Sequence, residues 1–187
     1  MRSDYIYPQE ADELIAALPL EYRKIVLAAA ETGFRIGDLC KAQTWAFDAV
    51  ENTIMLQEQK TGKYRTVAVT PRLRIALIGE GDRDVERLAR QKWLFERERD
   101  TNISRSTVWR WVTRTWERLH DGEGRTISPH SFRKLYAVTK RMNGRSLNEI
   151  QYDLNHERIE TTMIYAFADL IHEAEEESAR DVFAVAV

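Results

Sequence analysis

One cysteine, Cys40, stands alone among 187 residues, which excludes an internal disulfide framework and fits a reducing cytoplasm. Long apolar runs are missing as well. No stretch approaches the roughly 18 residues of a membrane span, and Met1-Arg2-Ser3-Asp4 does not open a secretory signal. Histidine is scarce and scattered, at 120, 130, 156 and 172, with no H-E-x-x-H and no cysteine pair, which argues against a metal site. Internal repeats and low-complexity segments are absent. An excess of one charge is lacking too. The net charge of −2 is, taken whole, a poor footprint for a nucleic-acid binder.

The distribution of that charge points the other way. Between Lys60 and Arg145 there are 21 Lys and Arg against 10 Asp and Glu, so the middle of the chain can present an anion-binding surface. From Asp169 onward 6 acidic residues face one Arg, so the C-terminal end has a different task. With 43% hydrophobic and 31% charged residues in a length suited to one domain, the composition is that of a globular protein.

The pattern of breakers and periodic segments predicts a mostly helical chain with one small sheet. Helices are expected over 8–18, from 19 to Gly33, over 71–78, over 84–92 and over 104–119. The last carries an apolar stripe of Val108, Trp111, Val112, Thr115 and Leu119, with Arg110, Arg114 and Arg118 on another face. Such an arginine row is ordinarily solvated, but beside a phosphate-handling site it can meet an anionic partner. Strands are expected over 43–47, 53–59 and 64–69, with Lys60-Thr61-Gly62-Lys63 as the last turn, and 93–95 reads as a buried strand or an extended connection. The C-terminal end reads as an acidic helix over 170–180 followed by a strand-like segment, with Phe183, Val185 and Val187 on one face.

Chemistry concentrates between Ser128 and Tyr165. A helix over 129–143 puts His130 and Arg133 on one face, three apart. Asn143-Gly144 breaks it, and Ser146-Leu147-Asn148-Glu149 reads as the capping box of the next helix. That helix closes at Asn155-His156, and a further one over 160–167 carries Tyr165. Two imidazoles, a guanidinium and a phenol gathered by short helices suit phosphate chemistry. Arginine offers an anion a planar fork of donors, and histidine can donate to a phosphate oxygen or move a proton. Earlier in the chain, Arg35 and Asp38 sit three apart at a helix start, so that Arg35 can face the anion while Asp38 orients a neighbour.

These pieces, in this order, resemble the tyrosine recombinases of the phage-integrase family. Its motif is H-x-x-R, then L-G-H, then a Tyr nine residues later. Here the match is His130-Ser131-Phe132-Arg133, Leu154-Asn155-His156 and Tyr165, with Phe132 where Leu is usual and Asn155 where Gly is usual. Thr32-Gly33-Phe34-Arg35-Ile36-Gly37-Asp38-Leu39 is similar to the family's first box, with Asp38 in place of Glu. Gln59-Lys60-Thr61-Gly62 resembles the hairpin setting of the family's catalytic lysine, with Lys63 as the fallback.

The resemblance implies an α+β, mostly helical DNA breaking–rejoining catalytic domain with a small three-stranded antiparallel sheet. It implies catalytic roles for Arg35, Lys60, His130, Arg133, His156 and the nucleophile Tyr165, with Asp38 as accessory carboxylate. Lys63, Arg65, Arg110, Arg114, Arg118 and Lys134 are the expected DNA contacts. No cofactor is implied. The partner would be double-stranded DNA, with a monomer when free and a tetramer on DNA. The chain is expected to be one domain: a lead over 1–7, a core over 8–168 and the C-terminal helix and strand-like tail over 169–187. No DNA-clamping domain is expected before the first helix, which leaves open an excised domain or a naturally short recombinase. Three rivals stand beside this reading: a catalytically silent DNA-binding regulator on the same fold, a helix-turn-helix reader built on 146–165, and a type IB topoisomerase.

Overall fold

Capped helices and a three-stranded sheet organise the computed structural model. It describes residues 3–79, 86, 88–98, 101–121 and 123–185, except the side chains of 98, 176 and 178–185. Helix α1 (Pro8–Ala17) starts with proline in its first turn, and Glu10 reaches back to accept the Tyr7 N–H at 2.9 Å. Helix α2 (Leu20–Thr32) runs until Gly33, whose φ of 63° supplies the left-handed residue that ends it. A short helix, α3 (Ile36–Leu39), follows directly, with Arg35 as its extended N-cap.

Strands β1 (Phe47–Asp48), β2 (Thr53–Gln57) and β3 (Tyr64–Ala68) form an antiparallel sheet in that order. Ile54 and Leu56 are buried while Met55 is exposed, as strand alternation requires. The first strand is much shorter than the expected 43–47. Gln43 makes only an isolated bridge to Trp93, and Thr44–Ala46 is a 3-10 turn whose Trp45 is exposed, its indole N–H on the Gln43 side-chain oxygen. Only the two ends of the expected strand, Gln43 and Phe47, find partners, and the residues between them curl into the turn.

Helix α4 (Pro71–Ile78) is capped by the Thr70 hydroxyl, which accepts the Leu73 N–H at 3.1 Å. Of the helix expected over 84–92, residues 84, 85 and 87 lie outside the described residues; 86, 88 and 89 are helical, with Leu88 buried, and the chain has left the helix by Gln91. Leu94 and Phe95 are buried in an extended connection that leads into the hairpin of β4 (Glu96–Glu98) and β5 (Thr101–Asn102).

Helix α5 (Arg105–Leu119) buries Val108, Val112, Thr115 and Trp116. The stripe therefore runs through Trp116, while Trp111 stays 38% exposed and stacks on Tyr22. Helices α6 (Pro129–Met142), α7 (Leu147–Leu154) and α8 (Ile159–Ala166) carry the chemistry-bearing residues. A small apolar knot of Tyr136, Ala137, Ile150, Leu154 and Ala166 binds those three together, beside the main core of α1, α2, α4, α5 and the sheet. The capping box of Ser146 and Glu149 forms as expected.

Helix α9 (Ala168–Val185) corrects the expectation for the C-terminal end: 182–185 continue the acidic helix in place of a strand. Adding a residue to an existing helix is far cheaper than starting a new element, and the Ala- and Glu-rich stretch before it propagates well.

One close approach controls the packing of α2 on α6. A Cβ added at Gly33 would lie 2.5 Å from the Tyr136 ring, in a backbone conformation that L-residues disfavour. Gly33→Ala should therefore cost about 2–4 kcal/mol and lower the melting temperature by roughly 5–15 °C. A calorimetric scan at the wild-type temperature would contradict this packing.

Candidate active site

A cleft of about 600 Å³ opens between α3, the β2–β3 turn and the starts of α5 and α6. Arg35, Lys60, His130, Arg133, His156 and Tyr165 all line it, together with Asp38. Residues spread over 131 positions of sequence thus converge on one surface.

Behind the cleft lies a buried carboxylate that the sequence alone did not single out. Glu58, fully buried, accepts a short bond from Arg35, lies 3.6 Å from Arg65 Nε and 4.0 Å from Arg133, and accepts an Asn155 amide N–H at 3.1 Å. Arg133 is 2% exposed. It donates to the carbonyls of Gly33 and Leu154, while Arg65 donates to those of Thr32 and Asp153. Two arginines therefore cap the C-terminal ends of the same two helices, α2 and α7, where carbonyls lack helical partners and the dipole is negative. Burial, with Arg35 and Arg65 nearby, pushes Arg133 down to about 9, which still leaves it charged at neutral pH.

Arg65 departs from its expected role. It is 7% exposed and its guanidinium lies 3.9 Å over the Phe34 ring, so it is a structural cation and not a surface contact for DNA. The signal was present in the strand pattern: Arg65 shares the inward side of β3 with Val67 and Val69, as Glu58 shares that of β2 with Ile54 and Leu56. Arg110, Arg114 and Arg118 are exposed on the side of α5 opposite its buried stripe, and none of them lines the cleft. Two residues of α5 that were not singled out do line it, Arg105 and Trp109, one turn apart. Lys63 is exposed on the hairpin turn, and Lys134 donates to the Ser3 carbonyl.

Asp38 is buried, and its Oδ1 accepts the backbone N–H of Gln59 at 3.1 Å, next to Lys60. Burial raises its pKa, with the nearby Glu58 adding to the rise and the Gln59 bond opposing it. The His156 loop is set by Asn155, a left-handed residue at φ 50°, and by the Gln151 side chain, which donates to the His156 carbonyl at 3.1 Å. His156 Nδ1 lies 3.2 Å from the buried Thr162 hydroxyl, and its ring meets Tyr165 edge-on at 4.9 Å. Tyr165 Oη lies 3.2 Å from His130 Nδ1. Behind Tyr165, Arg141 holds the α8–α9 junction through Asp169 at 2.5 Å and through the Phe167 ring.

Burial raises the Tyr165 pKa against the pull of Arg133 and Arg35, so the phenol keeps its proton at neutral pH. Burial and Arg133 lower the pKa of His130, and the same causes with Arg35 lower that of His156 to about 3. Both rings are therefore neutral at neutral pH, where the phenol is protonated. A neutral His130 with its proton on Nε2 can accept from Tyr165. The arrangement can seat a tetrahedral anion on guanidinium groups beside a hydroxyl nucleophile and its base.

The fold matches that of tyrosine recombinase catalytic domains. A crystal structure of XerA recombinase superposes with a TM-score of 0.72 at 28% identity, covering 89% of this chain and 61% of that one. A lambda integrase dimer bound to a COC′ core site gives a TM-score of 0.71 at 19% identity, covering 89% and 48%, a likeness of fold alone. The chain matches the profile of the phage integrase family over residues 4–170 and belongs to that family. Tyrosine recombinase XerA of Thermococcus onnurineus is 26% identical over 170 residues, which cover 88% of this chain and 58% of the relative. The integrase of Escherichia phage P2 is 27% identical over 162 residues, covering 87% and 42%. The chain spans about half the length of the curated relatives it matches.

The neutral imidazoles are directly measurable. In an NMR titration of the histidine rings, His130 should take up its proton below the usual 6.5 and His156 should stay neutral down to about pH 4. The unfolded chain protonates both near 6.5, so stability should fall as pH drops below that value. A His156 that titrates at 6.5 would contradict the buried, cation-flanked geometry.

Proposed function

We propose that this chain is the catalytic part of a site-specific DNA recombinase, cutting and rejoining double-stranded DNA through a 3′-phosphotyrosyl intermediate. One observation carries the reading: the Tyr165 hydroxyl stands 3.2 Å from a neutral His130, in a cleft that Arg35 and Arg133 also line.

In this reading the scissile phosphate sits on Arg35 and Arg133, whose charge meets the negative charge that grows on the non-bridging oxygens. With the Thr162 hydroxyl, 3.2 Å from His156 Nδ1, as the donor of that pair, the Nε2 proton is left for one of those oxygens. Tyr165 Oη attacks phosphorus while its proton passes to His130, and the P–O bond to the 5′-oxygen breaks. Lys60 gives that leaving oxygen a proton. One phosphodiester is exchanged for another, so bond energy is kept and the reverse attack by a 5′-hydroxyl reseals the strand. Lys63 on the exposed turn and Arg105 at the cleft edge are placed to meet neighbouring backbone phosphates. The working form is an oligomer on DNA, a tetramer that exchanges strands pairwise, in the cytoplasm.

The test uses a pool of duplexes of random sequence, each with a nick that lets the cut fragment diffuse away. After denaturation in SDS, DNA still joined to protein is captured and sequenced. Wild-type protein should give adducts that converge on one sequence, with the DNA 3′-phosphate on Tyr165. Tyr165→Phe should lose the adduct entirely while retaining DNA in a filter assay, since only a hydroxyl is removed. An adduct of undiminished yield in Tyr165→Phe would overturn the nucleophile. Retention without any wild-type adduct would favour a catalytically silent DNA-binding protein.

A further inference from the structure

The turn between β2 and β3 projects Lys60 from a backbone that must hold its place against the rest of the cleft. Part of that hold is internal: Glu58 N–H donates to the Lys63 carbonyl at 3.0 Å, and Gly62 N–H to the Glu58 carbonyl at 2.7 Å. On the near side, α3 grips Gln59. Its N–H goes to Asp38 and its side chain to the Gly37 carbonyl at 3.3 Å, while Lys41 Nζ reaches its oxygen at 2.8 Å. The far side, at Thr61, is gripped from 94 positions away in sequence. The Asn155 amide nitrogen donates to Thr61 Oγ1 at 2.6 Å and to the buried Glu58 Oε2 at 3.1 Å. An amide nitrogen has two protons, and both are used.

The backbone at Asn155 has no need of that side chain. Its φ of 50° and ψ of 45° are left-handed, a conformation that glycine takes without strain and that closes α7 equally well. What the side chain adds is a bridge between the loop that presents His156 and the turn that presents Lys60. We propose that Asn155 is a positioning residue for proton transfer to the leaving oxygen: it clips the Lys60 turn to the His156 loop and so fixes the lysine against the phosphate seat. The proposal rests on Lys60 being the proton donor.

Asn155→Gly keeps the left-handed backbone and removes only the clip. Thr61→Val removes the partner oxygen and leaves the Asn155–Glu58 bond. Each is assayed in single-turnover cleavage on the selected duplex, made with an ordinary phosphate or with a 5′-bridging sulfur whose departure needs no proton. A donor displaced by about an ångström loses on the order of tenfold to a hundredfold in rate. Both variants should show that loss on the ordinary duplex and cleave the sulfur substrate near the wild-type rate. The double variant should be no slower than the worse single one. Equal losses on both substrates would overturn the proposal, because the defect would then lie at the phosphate or the nucleophile. Unchanged rates on both would overturn it as well.

Lys60→Ala on the same pair checks the reading beneath. If sulfur does not rescue that variant, Lys60 is not the donor, and the clip is judged by hydrogen exchange in the free protein. Asn155→Gly should speed exchange at the Gly62 and Thr61 amides and leave the α6 amides unchanged. Unchanged exchange at those two amides would remove the clip altogether.

Discussion

One buried carboxylate, Glu58, holds the site together. Three guanidinium groups gather within 4.0 Å of it, two of them nearly without exposure. Guanidinium groups packed this closely repel one another, and each loses hydration on burial, so they stay only where a counter-charge and hydrogen-bond acceptors replace the water. Glu58 supplies the charge. The terminal carbonyls of α2 and α7 supply the acceptors, exposed because both helices stop at a left-handed residue, Gly33 and Asn155. Removal of either helix stop would leave Arg65 and Arg133 without their seats, which ties the site to the helix ends and not to any one loop.

Burial and this concentration of positive charge together govern the titrating groups. Burial first, and then the neighbouring arginines, make protonation of His130 and His156 unfavourable, so both rings are neutral hydrogen-bonding groups at neutral pH. Arg133 and Arg35 also favour the phenolate of Tyr165, yet burial outweighs them and the hydroxyl stays protonated. The Tyr165 phenol is thus not ionised by the arginines alone. His130 stands at hydrogen-bond distance from it, and its helix is held in place by Arg141 against Asp169 and by the small apolar knot around Tyr136.

The chemistry-bearing positions were legible because they are carried by local devices that sequence displays: capping boxes, helix stops and i,i+3 spacing. Ser146-x-x-Glu149 and the helix stops at Gly33 and Asn155 bound the elements that carry these residues, and the resemblance to the phage-integrase family supplied the roles of His130, Arg133, His156 and Tyr165. Glu58 and Arg65 were readable too, since strand parity puts them on the inward side, but a charged residue in a hairpin is taken for solvated unless its partners are known. Those partners lie up to 97 positions away, at Asn155. The expected strand over 43–47 and the strand-like end at 182–185 failed for a common reason. Alternation marks a residue's preference for one side, and only a neighbour along its length makes it a strand. Trp45 has none, and the C-terminal residues extend a helix already formed.

The dependence of the whole arrangement on Glu58 can be measured in the free protein by comparing the melting of Glu58→Gln with that of wild type. Glutamine keeps the shape and removes the counter-charge from Arg65 and Arg133. Breaking a buried ion pair from one side costs about 3–5 kcal/mol, which for a chain of this length lowers the melting temperature by roughly 6–20 °C. The account predicts a loss of that size at neutral pH. A variant that melts with the wild type would contradict it, because the guanidinium cluster would then stand without the carboxylate said to hold it.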